Sequence, residues 1–175
     1  YNTLDTLKWL GKANEVPEIA TLSAGLAKIL RMSISATSKI QLKQELEFAE
    51  AYVQIQRIRF EDKFEYLVEA PEELNDCIVP KLILQPLIEN SIIHGFAEKD
   101  YGVVIVEVKC ENERLCITVR DNGAGMTAEQ LALLNSKKPP KNREKHSIGF
   151  YNVNEIIRLN YGEAYGLTAE SEQGS

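Results

Sequence analysis

Leu115-Cys116-Ile117-Thr118-Val119-Arg120-Asp121-Asn122-Gly123-Ala124-Gly125-Met126 carries a β-rich run straight into a glycine turn. Asn and Gly are turn formers, so a strand ends at Asp121. Immediately upstream, Val103–Cys110 is a second β-rich run, and Glu111–Arg114 joins the two as a hairpin. Further upstream, residues 79–94 are strongly apolar, with Ile83 and Leu87 on one line and Leu84, Ile88 and Ile92 on the next. That spacing predicts a buried helix, in which Pro86 demands a kink or a late start. Phe64–Ala70 alternates as a strand does, and Pro71–Asp76 is a turn-rich break. Downstream, Thr127–Asn135 reads as a short helix with Thr127 as its N-cap. Ser136–His146 is a polar loop, Gly149–Leu159 a helix and Tyr165–Ser171 a strand. The order after residue 60 is therefore β-α-β-β-α-loop-α-β. It predicts an α+β fold, a two-layer α/β sandwich whose mixed sheet carries helices on one face.

Working back toward the amino terminus, residues 43–60 form a long helix with Leu46, Ala49, Val53 and Ile58 among its apolar positions. A polar stretch, Ser33–Lys39, precedes it. Residues 1–34 read as a helical hairpin. Leu4, Leu7 and Leu10 mark one helix, Ile19, Leu22, Leu26 and Ile29 the other, and Gly11 and Pro17 bracket the turn. Two short amphipathic helices cannot bury their stripes alone, which points to dimerisation into a four-helix bundle. The expected division is a partial hairpin over residues 1–40 and a second domain over 41–175.

The bulk numbers fit this size. The 175 residues are 44% hydrophobic and 26% charged, an ordinary globular balance. A net charge of -6 argues against a general nucleic-acid binder. Cys77, Cys110 and Cys116 lack zinc-ligand spacing and suit a reducing cytoplasm. No apolar run approaches the ~20 residues that cross a bilayer. The chain opens at Tyr1 without a Met and stops at Gly174-Ser175, so a piece of a longer protein is expected.

Three constellations carry possible chemistry. In Glu89-Asn90-Ser91-Ile92-Ile93-His94-Gly95, two polar residues interrupt a buried helix and must be satisfied or functional. Asn90 offers a neutral oxygen to Mg²⁺, which keeps waters and takes few protein ligands beside phosphates. Glu89 can orient or deprotonate a neighbouring group, and His94 shares the Asn90 face. A helix end emerging into solvent with Gly95 as its stop explains the same residues. In Asp121–Met126 the carboxylate can accept from the exocyclic amine of adenine. Gly123 and Gly125 permit close backbone approach, and Met126 offers a soft surface to a flat ring. A plain Asp-Asn-Gly turn is the alternative. In Ser147-Ile148-Gly149-Phe150-Tyr151-Asn152, a glycine at a helix start suits a phosphate cradle. It follows Lys137, Lys138, Lys141, Arg143 and Lys145, against which stands one acid, Glu144. That segment is either a basic lid over a triphosphate or a solvated charged loop.

The order and spacing of the three resemble the Bergerat-type ATPases: histidine kinases, type II topoisomerases, the ninety-kilodalton chaperone and mismatch-repair ATPases. Leu84-Gln-Pro-Leu-Ile-Glu-Asn90 with His94-Gly95, and Tyr1-Asn-Thr-Leu4 at the start, are similar to the LytS/YesM-type sensor histidine kinases. The resemblance covers nearly the whole chain. It implies a Bergerat-type sandwich that binds ATP and Mg²⁺, with Asn90 on the metal and Asp121 on adenine. Gly123, Gly125, Met126, Ser147, Gly149 and Asn152 would shape the pocket and lid, and Glu89 and His94 would serve the phosphoryl transfer.

The resemblance further implies a phosphoaccepting histidine three residues before Tyr1. His94 and His146 are the only histidines here, so phosphohistidine is not expected on this chain by itself. The implied partners are a second copy, bound through the hairpin, and a response regulator that receives the phosphoryl group on Asp. The parent would be a membrane-anchored sensor with this part in the cytoplasm. Three positions depart from the family pattern: Ser147 for Gly, Phe150 for Leu, and Ile93 where a Lys is common. They keep a degenerate ATP-binding and dimerisation module in view, beside another Bergerat-type ATPase such as a topoisomerase-like clamp or an anti-sigma-type serine kinase.

Overall fold

The structure is a computed structural model that describes residues 2–96, 99–136, 139 and 145–172, with backbone alone at 145–147. The hairpin is α1 (Asn2–Ala13) and α2 (Pro17–Ile34). Pro17 opens α2, where its missing N–H costs nothing. Then come β1 (Lys39–Gln41), α3 (Leu42–Arg59), β2 (Phe64–Glu69), β3 (Ile78–Pro80), α4 (Leu84–Asn90), β4 (Gly102–Glu111), β5 (Arg114–Asp121), α5 (Ala128–Asn135) and α6 (Lys145–Tyr161). No described helix is long and apolar enough to cross a membrane.

The sheet is mixed, as expected. β2 runs parallel to β4, with Phe64 opposite Gly102 and Tyr66 opposite Val104. β4 pairs antiparallel with β5, with Val104 opposite Asp121 and Val108 opposite Ile117. On one face Val104, Val106 and Val108 join Phe64 and Tyr66 in the core, against Val53 of α3, Ile88 of α4 and Val153 of α6. Burying such side chains stabilises by roughly 1.5–3 kcal/mol each. On the other face of β4 and β5 sits a polar cluster in which Glu107 pairs with Lys109 and Arg120. One wet face and one packed face make the two-layer sandwich. α2 lies along α3, where Lys28 pairs with Glu47 at 3.1 Å.

Several expectations need correction. The helix predicted over 79–94 is three things: β3, a corner, and α4, which starts only at Leu84. Pro86 thereby falls in the first helical turn, where its lost N–H had no partner to give up. After Asn90 the helix widens into a π turn over Ser91–Gly95. β1 and β3 form a two-stranded antiparallel sheet that the sequence pattern does not announce. No strand forms at Tyr165–Ser171, where the Leu167 and Ala169 amides donate to the side chains of Asn154 and Asn135 at 2.9 Å each. The helix placed at Gly149 begins at Lys145, so Gly149 lies in its second turn and not at its start.

Candidate functional site

The three constellations meet around α4. Asp121 ends β5 with its side chain exposed. Its Oδ1 accepts the Gly123 amide at 2.9 Å and its Oδ2 accepts the Ser91 hydroxyl at 2.7 Å. Charge-assisted bonds on both oxygens fix the carboxylate, and each oxygen keeps a further lone pair for a ligand. The turn presses on the end of the π segment: the Ala124 amide donates to the Gly95 carbonyl at 3.0 Å. A Cβ on Gly123 would meet Gly95 Cα and Asp121 Oδ1 at 2.6 Å, so no side chain fits there. Gly125 has φ +73°, a conformation glycine adopts without strain.

Asn90 is the last residue of α4, half-buried, and neighbours Ser91 in the chain. His94 stands exposed on the π turn. Glu89 is half-buried and lies within electrostatic reach of Tyr52 on α3. Burial is the main reason the Tyr52 phenol titrates far above its ordinary value, and the Glu89 charge adds to it. π turns are over-represented at functional sites, and this one carries buried Ser91 and Ile92.

Gly149 brings α6 onto α4: a Cβ there would stand 3.3 Å from Pro86 Cβ. The third constellation therefore touches the first through helix packing, with Asn152 exposed on α6. Lys137, Lys138, Lys141, Arg143 and Glu144 lie outside the described residues, as do the side chains of Lys145, His146 and Ser147. Met126 is half-buried, and its amide donates to Ser171 Oγ at 2.8 Å. Asn122 is structural: its Oδ1 accepts the Val103 amide at 2.8 Å and extends the β4–β5 pairing by one step. Thr127 caps α5 and forms a capping box with Gln130.

Sequence reasoning missed Ser91, Ser171 and Glu45. Glu45 was findable, because it sits between Leu42 and Ala49 on the buried stripe of α3, where a charge is out of place. Its carboxylate, 1% exposed, accepts the Leu82 amide at 2.7 Å and the Leu84 amide at 2.9 Å. Burial pushes its pKa up, against the downward pull of the Leu84, Leu82 and Ile83 amides. Ser91 and Ser171 gave no signal, since a serine's hydrogen-bond partner is not readable from its neighbours in the chain.

The family of histidine kinase-, DNA gyrase B- and HSP90-like ATPases matches residues 75–175. The histidine kinase family matches residues 1–64. The chain belongs to the histidine kinase-, DNA gyrase B- and HSP90-like ATPases. Within that family it is similar to sensor histidine kinases. It is 35% identical over 174 residues to sensor histidine kinase YesM of Bacillus subtilis, covering 98% of this chain and 29% of that protein. It is 36% identical over 167 residues to sensor histidine kinase YpdA of Escherichia coli, covering 93% and 28%. It is 30% identical over 164 residues to sensor protein kinase HptS of Staphylococcus aureus, covering 93% and 31%. The chain thus spans about three tenths of the length of these relatives.

Proposed function

We propose that this chain is the ATP-binding catalytic part of a two-component sensor histidine kinase. ATP binds between α4 and the Asp121 turn. The γ-phosphoryl group passes to a histidine outside this chain and from there to an aspartate of a response regulator. The observation that carries the reading is the exposed Asp121 carboxylate, held on both oxygens by Ser91 and Gly123 at the end of the helix that bears Asn90.

Asp121 accepts the exocyclic amine of adenine, and Gly123 and Gly125 let the backbone come close. Met126 lies against the ring. Asn152, exposed on α6, borders the phosphates, and Gly149 lets α6 pack close to α4. Glu89 orients or deprotonates the acceptor, and His94 shares the Asn90 face. Among the described residues no cluster of three His, Cys, Asp or Glu side chains could hold a metal by itself. The Asn90 amide oxygen, as a single protein ligand, fits Mg²⁺ that arrives with the phosphates. Bound there, Mg²⁺ would neutralise phosphate charge, and transfer then depends on positioning more than on covalent chemistry by the protein.

Residues 1–40 form the partial dimerisation and phosphotransfer hairpin and 41–175 the ATP-binding domain. Trp9 is 67% exposed and Ile34 69%, and Leu10, Leu26 and Leu30 are exposed with them, an apolar surface that a second copy would cover. The parent is a membrane-anchored sensor with this part in the cytoplasm.

The test is phosphoryl transfer in trans. This chain is incubated with γ-labelled Mg-ATP and a separate hairpin that carries the acceptor histidine. Label on the hairpin, stable to base and labile to acid, is expected. Label on the 175-residue chain alone, or none on the hairpin, contradicts the reading.

A further inference from the structure

Lys81–Leu84 is the corner between β3 and α4. Leu82 has φ +60°, in the left-handed region that side chains of L residues avoid. Ile83 follows in the right-handed region at φ -86°, ψ -30°. A left-handed residue followed by a right-handed one turns successive amides to one side and makes a concavity for an anion. The anion here is internal. Glu45, reaching over from α3, accepts the Leu82 amide on Oε2 and the Leu84 amide on Oε1. The same corner is tied to the hairpin, because the Lys81 ammonium donates to the Met32 and Ser35 carbonyls at the end of α2.

We propose that Glu45 is a positioning residue of the nucleotide site. Its carboxylate holds Leu82 left-handed, sets where α4 begins, and so places Asn90 and Ser91 opposite Asp121. The inference rests on the reading of α4 and Asp121 as the nucleotide site. The leverage comes from the shortness of α4. It has 7 residues, and a one-residue slip of its start would turn Asn90 by about 100° around the helix axis. Glutamine at position 45 accepts on one atom only and turns an NH₂ group toward the second amide.

The test uses Mg-ATP titration calorimetry on the 175-residue chain in four forms. These are the wild type, Glu45→Gln, Glu45→Gln with Leu82→Gly, and Glu45→Gln with Leu82→Ala. Both second substitutions delete the leucine side chain, but glycine alone accepts φ +60° freely. Glu45→Gln is expected to weaken Mg-ATP about tenfold, because a misplaced site loses most of its contacts' value. Leu82→Gly should restore affinity to within about threefold of wild type, and Leu82→Ala should not. Wild-type affinity in Glu45→Gln, equal rescue by alanine, or no rescue by glycine overturns the proposal. If Glu45→Gln does not fold, the melting temperatures of the double variants decide instead. A higher one with glycine supports the proposal, and equal ones overturn it. Hydrogen exchange at Leu87–Asn90 without nucleotide separates this inference from the proposed function. Glu45→Gln should speed that exchange and Leu82→Gly should slow it again, even if the wild type fails to bind Mg-ATP. Exchange unchanged by Glu45→Gln contradicts the role assigned to Glu45.

Discussion

The Ser91 hydroxyl donates to Asp121 Oδ2 at 2.7 Å, a bond between residues 30 positions apart in the chain. It joins the helix end that carries Asn90 to the strand end that carries the acidic turn. Ser91 is 6% exposed while Asp121 is exposed, so the bond anchors the carboxylate from beneath and leaves its outer lone pairs to solvent or ligand.

Ser91→Ala should therefore weaken Mg-ATP binding by about 1 kcal/mol, roughly fivefold, since the carboxylate keeps the Gly123 amide but loses its second anchor. Calorimetry measures the affinity, and thermal melting checks that the fold survives. Unchanged affinity would show that Ser91 does not position Asp121.

Gly123→Ala should be more damaging. Its new methyl group would meet the Gly95 backbone and the Asp121 carboxylate oxygen at 2.6 Å, and backbone cannot swing aside as a long side chain can. A stability loss of about 1–3 kcal/mol is expected from such overpacking, together with loss of nucleotide binding. Urea unfolding reads the first and calorimetry the second.

Glu45 supplies a pH dependence. Burial raises its native pKa above the ordinary value. The folded state then holds its proton to higher pH than the unfolded state does. The bound proton's contribution is fully present below the unfolded value of about 4.3 and falls as pH rises through the native value, above which the carboxylate is the form that accepts both corner amides. Tyr66, itself pushed up by burial and by the charges of Glu50 and Glu45, lies within electrostatic reach of Glu45. The stability difference between wild type and Glu45→Gln, from urea unfolding at a series of pH values, should shrink as pH rises from that lower bound. A difference that grows with pH would contradict the raised pKa.

Lys81→Met should loosen the end of α2. The ammonium donates to the Met32 and Ser35 carbonyls at 3.2 and 2.7 Å, and methionine keeps the stem without the donors. A loss of about 1–2 kcal/mol in urea unfolding is expected for charge-assisted bonds at this half-buried position.

Legibility in the sequence followed element length and local signal. α3, the β4–β5 hairpin and the Thr127 cap were readable because each carries its own periodicity or capping residue. β1 and β3 have 3 residues each, too few for a period to register. Pro86 announced that α4 starts late, but the corner that precedes it was hidden, since its amides go to Glu45, 39 residues away in sequence from Leu84. Tyr165–Ser171 has the composition of a strand, but its Leu167 and Ala169 amides go to the side chains of Asn154 and Asn135, partners that lie far off in the chain. Asp121 and its glycines were legible since turn chemistry is local. Their pairing with Ser91 and Gly95 was not, because it exists only once α4 has folded against β5.

Everything proposed for the nucleotide site turns on Asp121 reading adenine. Its most direct test is Mg-ATP binding by calorimetry on the wild type and on Asp121→Asn, which keeps the side chain's shape but replaces one acceptor oxygen with a donor. The wild type should bind, and the variant should lose at least about thirtyfold in affinity, the cost of an unmatched charge-assisted bond. Affinity unchanged to within about twofold would contradict it.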